Sequence, residues 1–264
     1  MNLNLENKLA LISGSTAGIG FAIAKALAAE GARVIVNGRG VERVNSAIKN
    51  IRSALPRARL EPLAVDLASA GGAAEAVKRF PEVDILVNNL GIYAPKQFEE
   101  ISDNDWLAII ETNFLSGVRL SREYLPRMKA RNWGRILFIS SESAASIPVE
   151  MIHYGVTKTM QVALARGLAQ LTAGTDVTVN SILAGPTRSE GVQDFIANMA
   201  RTRSITPVQV EKEFFQTVRP SSLLQRFAST DEVAAMAAFI ASPLSSATNG
   251  AALRVEGGVV NSLF

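Results

Sequence analysis

The stretch Leu9-Ala-Leu-Ile-Ser13-Gly14-Ser15-Thr16-Ala17-Gly18-Ile19-Gly20 decides how this chain is read. Four apolar residues run straight into a turn with three glycines, and the turn opens a helical pattern over Gly18–Glu30. Apolarity without alternation over so few residues suits a strand buried on both faces of a parallel sheet. Glycine permits a tight turn and lets backbone N–H groups come close to an anion. The N-terminus of the following helix adds the positive end of its dipole. Together these make a seat for a diphosphate. The spacing is G-x-x-x-G-x-G, not the commoner G-x-G-x-x-G, and on these residues alone a turn that needs glycine only for its own geometry remains an alternative.

Outward from this stretch the same rhythm repeats. Short apolar runs fall at Leu9–Ile12, Val34–Val36, Leu60–Val65, Val83–Val87, Ile136–Ile139, Val177–Leu183 and Ala251–Val255. Helical patterns lie between them at Val41–Leu55, Ala73–Phe80, Asp103–Arg131, Met151–Leu171 and Thr230–Ala241, with Asp103 and Thr230 as expected N-caps. Strand alternating with helix predicts βαβ units in one doubly wound α/β sheet, which binds ligands at the carboxyl ends of its strands. One interval breaks the alternation: 186–227 has helical apolar positions and no strand, and reads as a substrate lid inserted into a single domain spanning 1–264.

Composition removes other classes. The chain has no cysteine and one histidine, His153, so disulfides, thiolate nucleophiles, cysteine metal sites and multi-histidine metal centres are excluded, and no metal is expected. No apolar run approaches the roughly 18 residues that span a bilayer. The first residues lack a signal-peptide pattern, so a cytoplasmic protein is expected. A net charge of +3 predicts no nucleic-acid partner. The denser basic run Arg119, Arg122, Arg127, Lys129, Arg131 and Arg135 is assigned to an interface or to solvent.

The sharpest chemical signal is Tyr154-Gly-Val-Thr-Lys158. Residues four apart share a helical face, so the phenol and the ammonium converge. A free tyrosine titrates near pH 10. A cation within about 4–6 Å favours the phenolate and makes tyrosine a usable general acid and base. Ser140 and Ser141 end an apolar run upstream of Tyr154. Asn113 stands inside a helical pattern despite its poor propensity there. His153, next to Tyr154, points elsewhere on the helix and reads as a packing residue. After the second run comes Val36-Asn37-Gly38-Arg39. No carboxylate stands there, and the Arg39 guanidinium matches phosphate geometry, which in a dinucleotide-binding protein of the family named below would favour NADP over NAD.

Taken together, the G-x-x-x-G-x-G loop, Asn88-Asn89-Leu90-Gly91, Asn113, Ser141 and Tyr154-x-x-x-Lys158 resemble the short-chain dehydrogenase/reductase family over nearly the whole chain. The resemblance implies a Rossmann-type sheet of seven parallel strands with helices on both faces, and NADP or NAD as cofactor. It implies a catalytic set of Asn113, Ser141, Tyr154 and Lys158, with Ser141 on the substrate oxygen and Asn113 holding a relay water. It implies cofactor contacts from Gly14, Ser15, Thr16, Ala17, Gly18, Ile19, Gly20, Arg39, Asp66, Leu67, Asn89, Tyr154, Lys158, Thr187 and Ser189, with Asp66 at the adenine. Ser13 replaces the family's threonine, Leu90 its alanine, and Pro186 follows Gly185 where the family has proline before glycine. The expected activity is oxidoreduction between a small-molecule ketone and a secondary alcohol. The rival readings are a nicotinamide-sensing binding protein without turnover and an epimerase or dehydratase on nucleotide sugars. A homotetramer is implied, with the helices around Asp103–Arg131 and Met151–Leu171 at the interface.

Overall fold

The computed structural model describes residues 2–263. Seven strands form one sheet: β1 (Leu9–Ile12), β2 (Arg33–Gly38), β3 (Arg59–Ala64), β4 (Ile85–Asn88), β5 (Gly134–Ser141), β6 (Val177–Ala184) and β7 (Ala252–Val255). Their order across the sheet is β3-β2-β1-β4-β5-β6-β7. Every neighbouring pair is parallel. The helices are α1 (Gly18–Ala29), α2 (Val41–Ala54), α3 (Ala70–Arg79), α4 (Asp103–Ile110), α5 (Ser116–Ala130), α6 (Ile152–Gln170), α7 (Glu190–Arg203), α8 (Pro207–Glu213) and α9 (Thr230–Ala241). The doubly wound α/β sheet expected from the sequence is the one formed.

Successive strand residues point to opposite faces, and the core divides accordingly. Ala10, Ile12, Val34, Val36, Ile85 and Val87 pack on one face with α1, α2 and α9. Leu11, Ile35, Leu86, Ile136 and Phe138 pack on the other with α3, α5 and α6. Both faces are dry, which is why the strands read as apolar runs rather than alternations. Strand order reverses direction at β1, between β2 and β4. Crossovers leave to either side there and open a crevice above the strand ends.

Several boundaries differ from the sequence reading for local reasons. β5 continues through Ser140 and Ser141 because they pair with Leu183 and Ala184 of β6. The expected helix Asp103–Arg131 is broken into α4 and α5 by a π-helical turn at Glu111–Leu115. The N-caps of α4 and α9 are Ser102 and Ser229, one residue ahead of the expected Asp103 and Thr230. Each serine accepts from the backbone N–H of Asp105 or Glu232, whose carboxylate reaches back to the serine N–H, a reciprocal pair that outweighs the preference of any single residue.

Four residues of the basic run are bound to main-chain carbonyls, while Arg122 and Lys129 are exposed. Arg119 donates to the carbonyl of Ala68, Arg127 to Pro81 and Arg131 to Val83. Arg135, 1% exposed, donates to the carbonyls of Gly134, Asp176 and Ser242 and lies on the Trp133 ring. These arginines tie loops to the sheet.

Residues 186–227 leave the carboxyl end of β6 as an excursion with its own small core. Ile196, Ala200, Val210, Phe215 and Phe227 are buried together, and the rings of Phe214, Phe215 and Phe227 lie with centroids 5.1 Å apart in each pair. Entry and exit are stapled: Arg188 N–H donates to Ala228 O, and Ala228 N–H to Pro186 O. The excursion therefore starts and returns at one point, beside the ends of the strands. Among the described residues no helix is long and apolar enough to cross a membrane.

Candidate active site

The β1 loop is pinned by neutral side chains. Ser13 Oγ accepts from the N–H groups of Asn89 and Leu90, at 2.9 and 3.1 Å. Asn89 Nδ2 donates to the carbonyls of Ser13 and Gly14. The fully buried Asn37 accepts from Gly14 N–H at 2.9 Å and donates to the carbonyls of Leu63 and Val65, so one amide ties β1, β2 and β3. Asn37 directly follows the apolar run Val34–Val36, and its place at the end of a buried strand is the signal by which it could have been found. Gly14 and Gly18 have φ of +64° and +58°, in the left-handed region that favours glycine. At Gly20 a Cβ would stand 2.4 Å from Gly14 O.

Beside this loop lies a cleft of about 470 Å³, lined by Gly14, Ala17, Gly18, Ile19, Gly20, Arg43, Asn89, Leu90, Gly91 and the first turn of α7. The residues fit a dinucleotide's diphosphate. α1 opens at Ala17 with no side-chain cap and no acidic residue in its first turn, while α3, α7, α8 and α9 are each capped by a hydroxyl. The orphan N–H groups of α1 are thus left for an outside acceptor.

The expected cofactor residues divide. Gly14, Ala17, Gly18, Ile19, Gly20, Asn89 and Ser189 line the cleft. Ser15 and Leu67 do not offer side chains to it. Ser15 Oγ donates to Ile12 O and accepts from Asn37 N–H, and Leu67 is buried in the second core, so only their main chains remain available. Thr16 packs toward Gly38. Asp66 is exposed and accepts from Ala68 N–H. Thr187 donates to Gly185 O, and Ser189 caps α7. Arg39 is exposed just past β2. Arg43, in the first turn of α2, lines the cleft and was missed, being one more basic residue on an amphipathic helix.

The four catalytic candidates gather at the ends of β4 and β5. The π turn places Asn113 inward, where Oδ1 accepts from Ile92 N–H at 2.8 Å and Nδ2 donates to Ile92 O and Thr157 Oγ1. Lys158 is buried. Its Nζ donates to Ile139 O at 2.8 Å and to Gln161 Oε1 at 3.2 Å, and Gln161 Nε2 donates to the carbonyl of Asn113. Gln161, one turn past Lys158 on the same face, closes this chain and was overlooked. Burial pulls the Lys158 pKa down to about 8. Tyr154 stacks edge-on against Tyr93, with ring centroids 6.1 Å apart.

The expectation that Lys158 lowers the Tyr154 pKa is corrected. The ammonium spends donors on Ile139 and Gln161 and lies 5.6 Å from the phenol ring centre. Burial, helped by the carboxylate of Glu142, pushes the phenol above its ordinary value, and hydrogen bonding with Ser141 only partly opposes this. Ser141 Oγ also donates to Glu142 and accepts from Ser143 N–H. Glu142 is a residue the sequence reading did not single out. His153 packs edge-on against Trp106 as a buried side chain, and burial lowers its pKa.

With this geometry in hand, the comparisons are specific. The short chain dehydrogenase family profile matches residues 8–200. The chain is 47% identical over 264 residues to the uncharacterized oxidoreductase YvaG of Bacillus subtilis (strain 168), covering 100% of both. It is 34% identical over 260 residues to the D-beta-hydroxybutyrate dehydrogenase of Cupriavidus necator, covering 97% of this chain and 99% of that one. The crystal structure of L-sorbose reductase from Gluconobacter frateurii, complexed with NADPH and L-sorbose, superposes with a TM-score of 0.91 at 29% identity, covering 100% of both chains. The chain belongs to the short-chain dehydrogenase/reductase family and is an oxidoreductase of that family.

Proposed function

We propose that this chain is an NADP(H)-dependent oxidoreductase interconverting a ketone and a secondary alcohol, with Tyr154 as general acid and base. The observation that carries the reading is the convergence of Asn113, Ser141, Tyr154 and Lys158 beside a glycine cleft whose helix leaves its N–H groups free for a diphosphate. NADP(H), when bound, supplies or accepts the hydride. The preference for NADP is supported by Arg39 and by Arg43 on the rim, and by the NADPH of the L-sorbose reductase structure; NAD is the second choice.

In the reducing direction Tyr154 is suited to act as the acid. Its phenol, on a half-buried residue, holds its proton at neutral pH and sits against Ser141, whose hydroxyl orients the substrate oxygen. Lys158 carries its charge at neutral pH, below its value of about 8, and is the residue to hold the nicotinamide ribose. Asn113 fixes the Ile92 backbone and Thr157 of α6, and anchors the relay water. Ser189, at the cleft rim, and Thr187 are assigned to the cofactor's diphosphate and carboxamide. Asp66, exposed past β3, is assigned to its adenine. The excursion 186–227 is the substrate lid of a single domain. The protein is taken as a cytoplasmic homotetramer joined through α4, α5 and α6.

The test is Tyr154→Phe, assayed by NADPH oxidation against a ketone panel. Turnover should fall by about three orders of magnitude while the NADPH Kd stays within about twofold. Retention of most of the activity would remove Tyr154 from the chemistry.

A further inference from the structure

The active-site floor carries a charged cluster that the roles above leave unused. Glu142, 5% exposed, accepts from Ser141 Oγ through Oε2 and from Arg219 Nε through Oε1 at 3.2 Å. Arg219 comes from the far end of the excursion, and its Nη1 donates to Glu150 Oε1 at 3.1 Å. The side chains of Glu142 and Arg219 are 6% and 12% exposed, and the Arg219 guanidinium lies 6.0 Å from the Phe214 ring centre. Glu142 and Arg219 both act on the Tyr154 phenol, so the cluster borders the reacting atoms.

Two carboxylates share one guanidinium here, and the buried ammonium of Lys158, on which Glu142 also acts, completes the charge count. A latch joining lid to floor needs only one of them. A buried carboxylate only accepts hydrogen bonds, and each Glu142 oxygen, with one bond made, keeps a lone pair. An apolar ketone lying over it offers those lone pairs no donor. An anionic substrate would bring its carboxylate against that of Glu142 and could reach Arg219 only by breaking its existing pairs. A neutral substrate with a hydroxyl next to its carbonyl supplies a further donor.

We propose that Glu142, held in place by Arg219, is a specificity-determining residue that selects neutral, hydroxyl-bearing ketones and alcohols over unsubstituted and carboxylated ones. This rests on the oxidoreductase reading above and narrows its substrate class.

The experiment uses the full chain with NADPH and three matched ketones, butan-2-one, 3-hydroxybutan-2-one and acetoacetate, together with their six-carbon analogues. Expected is a kcat/KM for the hydroxylated member at least about tenfold above either partner, the scale of one hydrogen bond lost from a buried polar group. In Glu142→Gln, which keeps the shape and removes the charge, the preference over the carboxylated member shrinks about tenfold while the NADPH Kd moves by less than about twofold. If the unsubstituted or carboxylated ketones are turned over as well as the hydroxylated ones, the inference is overturned and the oxidoreductase reading stands. If NADPH binds and no ketone of any series is reduced, the oxidoreductase reading fails and takes the inference with it. The wild-type panel alone decides the matter should the variant not fold.

Discussion

The two halves of the crevice are built from opposite materials. On the β1 side the loop is held by Ser13, Asn37 and Asn89, all neutral, bonded to main-chain groups over 2.9–3.1 Å. On the β5 side the floor is held by Glu142, Arg219, Glu150 and the buried ammonium of Lys158. On the function proposed above, the difference follows from what each half would recognise. A diphosphate is met by backbone N–H groups and a helix dipole, so the side chains there need only hold the backbone still and add no charge of their own. A carbonyl changing its charge needs groups whose protons and charges are set by burial, and burial is what moves Lys158 down and Tyr154 up.

This contrast breaks most visibly at Gly20. Gly20→Ala places a methyl 2.4 Å from Gly14 O, a backbone atom that cannot swing away. Loss of about 3 kcal/mol of stability is expected, with NADPH binding falling below detection in a fluorescence titration. A variant that still binds NADPH with wild-type affinity would mean the loop is not rigid.

The charged half has a different signature, in pH. In the unfolded chain Lys158 titrates at its ordinary 10.5, against about 8 when buried. Below pH 8 the folded protein bears the whole cost of a buried ammonium, on the order of 3 kcal/mol. Between pH 8 and 10.5 the unfolded chain holds more protons than the folded one, so this cost is relieved and stability rises with pH. Denaturant unfolding of wild type and Lys158→Met from pH 7 to 10 should therefore show the difference moving in favour of wild type. A flat difference would place Lys158 in contact with water.

The smallest effect sharpens the neutral half. Arg39→Ala is expected to weaken NADPH about tenfold and leave NADH within about twofold, read by titration with both cofactors. An unchanged ratio would transfer the 2′-phosphate to Arg43.

What could be read in the linear chain follows the same division. Leu9–Gly20 is local: strand, turn and helix start lie within twelve consecutive residues, so the glycine turn that lines the cleft was legible without any distant partner. Tyr154 and Lys158 share one helix, and their spacing alone brings them to one face. Asn113 was legible as a misfit in a helical pattern, and the π turn explains the misfit. The caps of α4 and α9 were placed one residue late because a capping box is a reciprocal arrangement rather than a single preference.

By itself, then, the order of apolar runs and glycines determined a doubly wound sheet and the end of it where the cleft lies, because periodicity and turn chemistry act between near neighbours. Tertiary structure alone decided that Glu142 meets Arg219 across 77 positions of sequence and that Lys158 turns to Ile139 and Gln161. It also decided that the phenol of half-buried Tyr154 meets the Glu142 carboxylate and is pushed above its ordinary value. Charge strength and proton affinity depend on desolvation and on partners brought from distant segments, and neither is a property of the sequence around a residue.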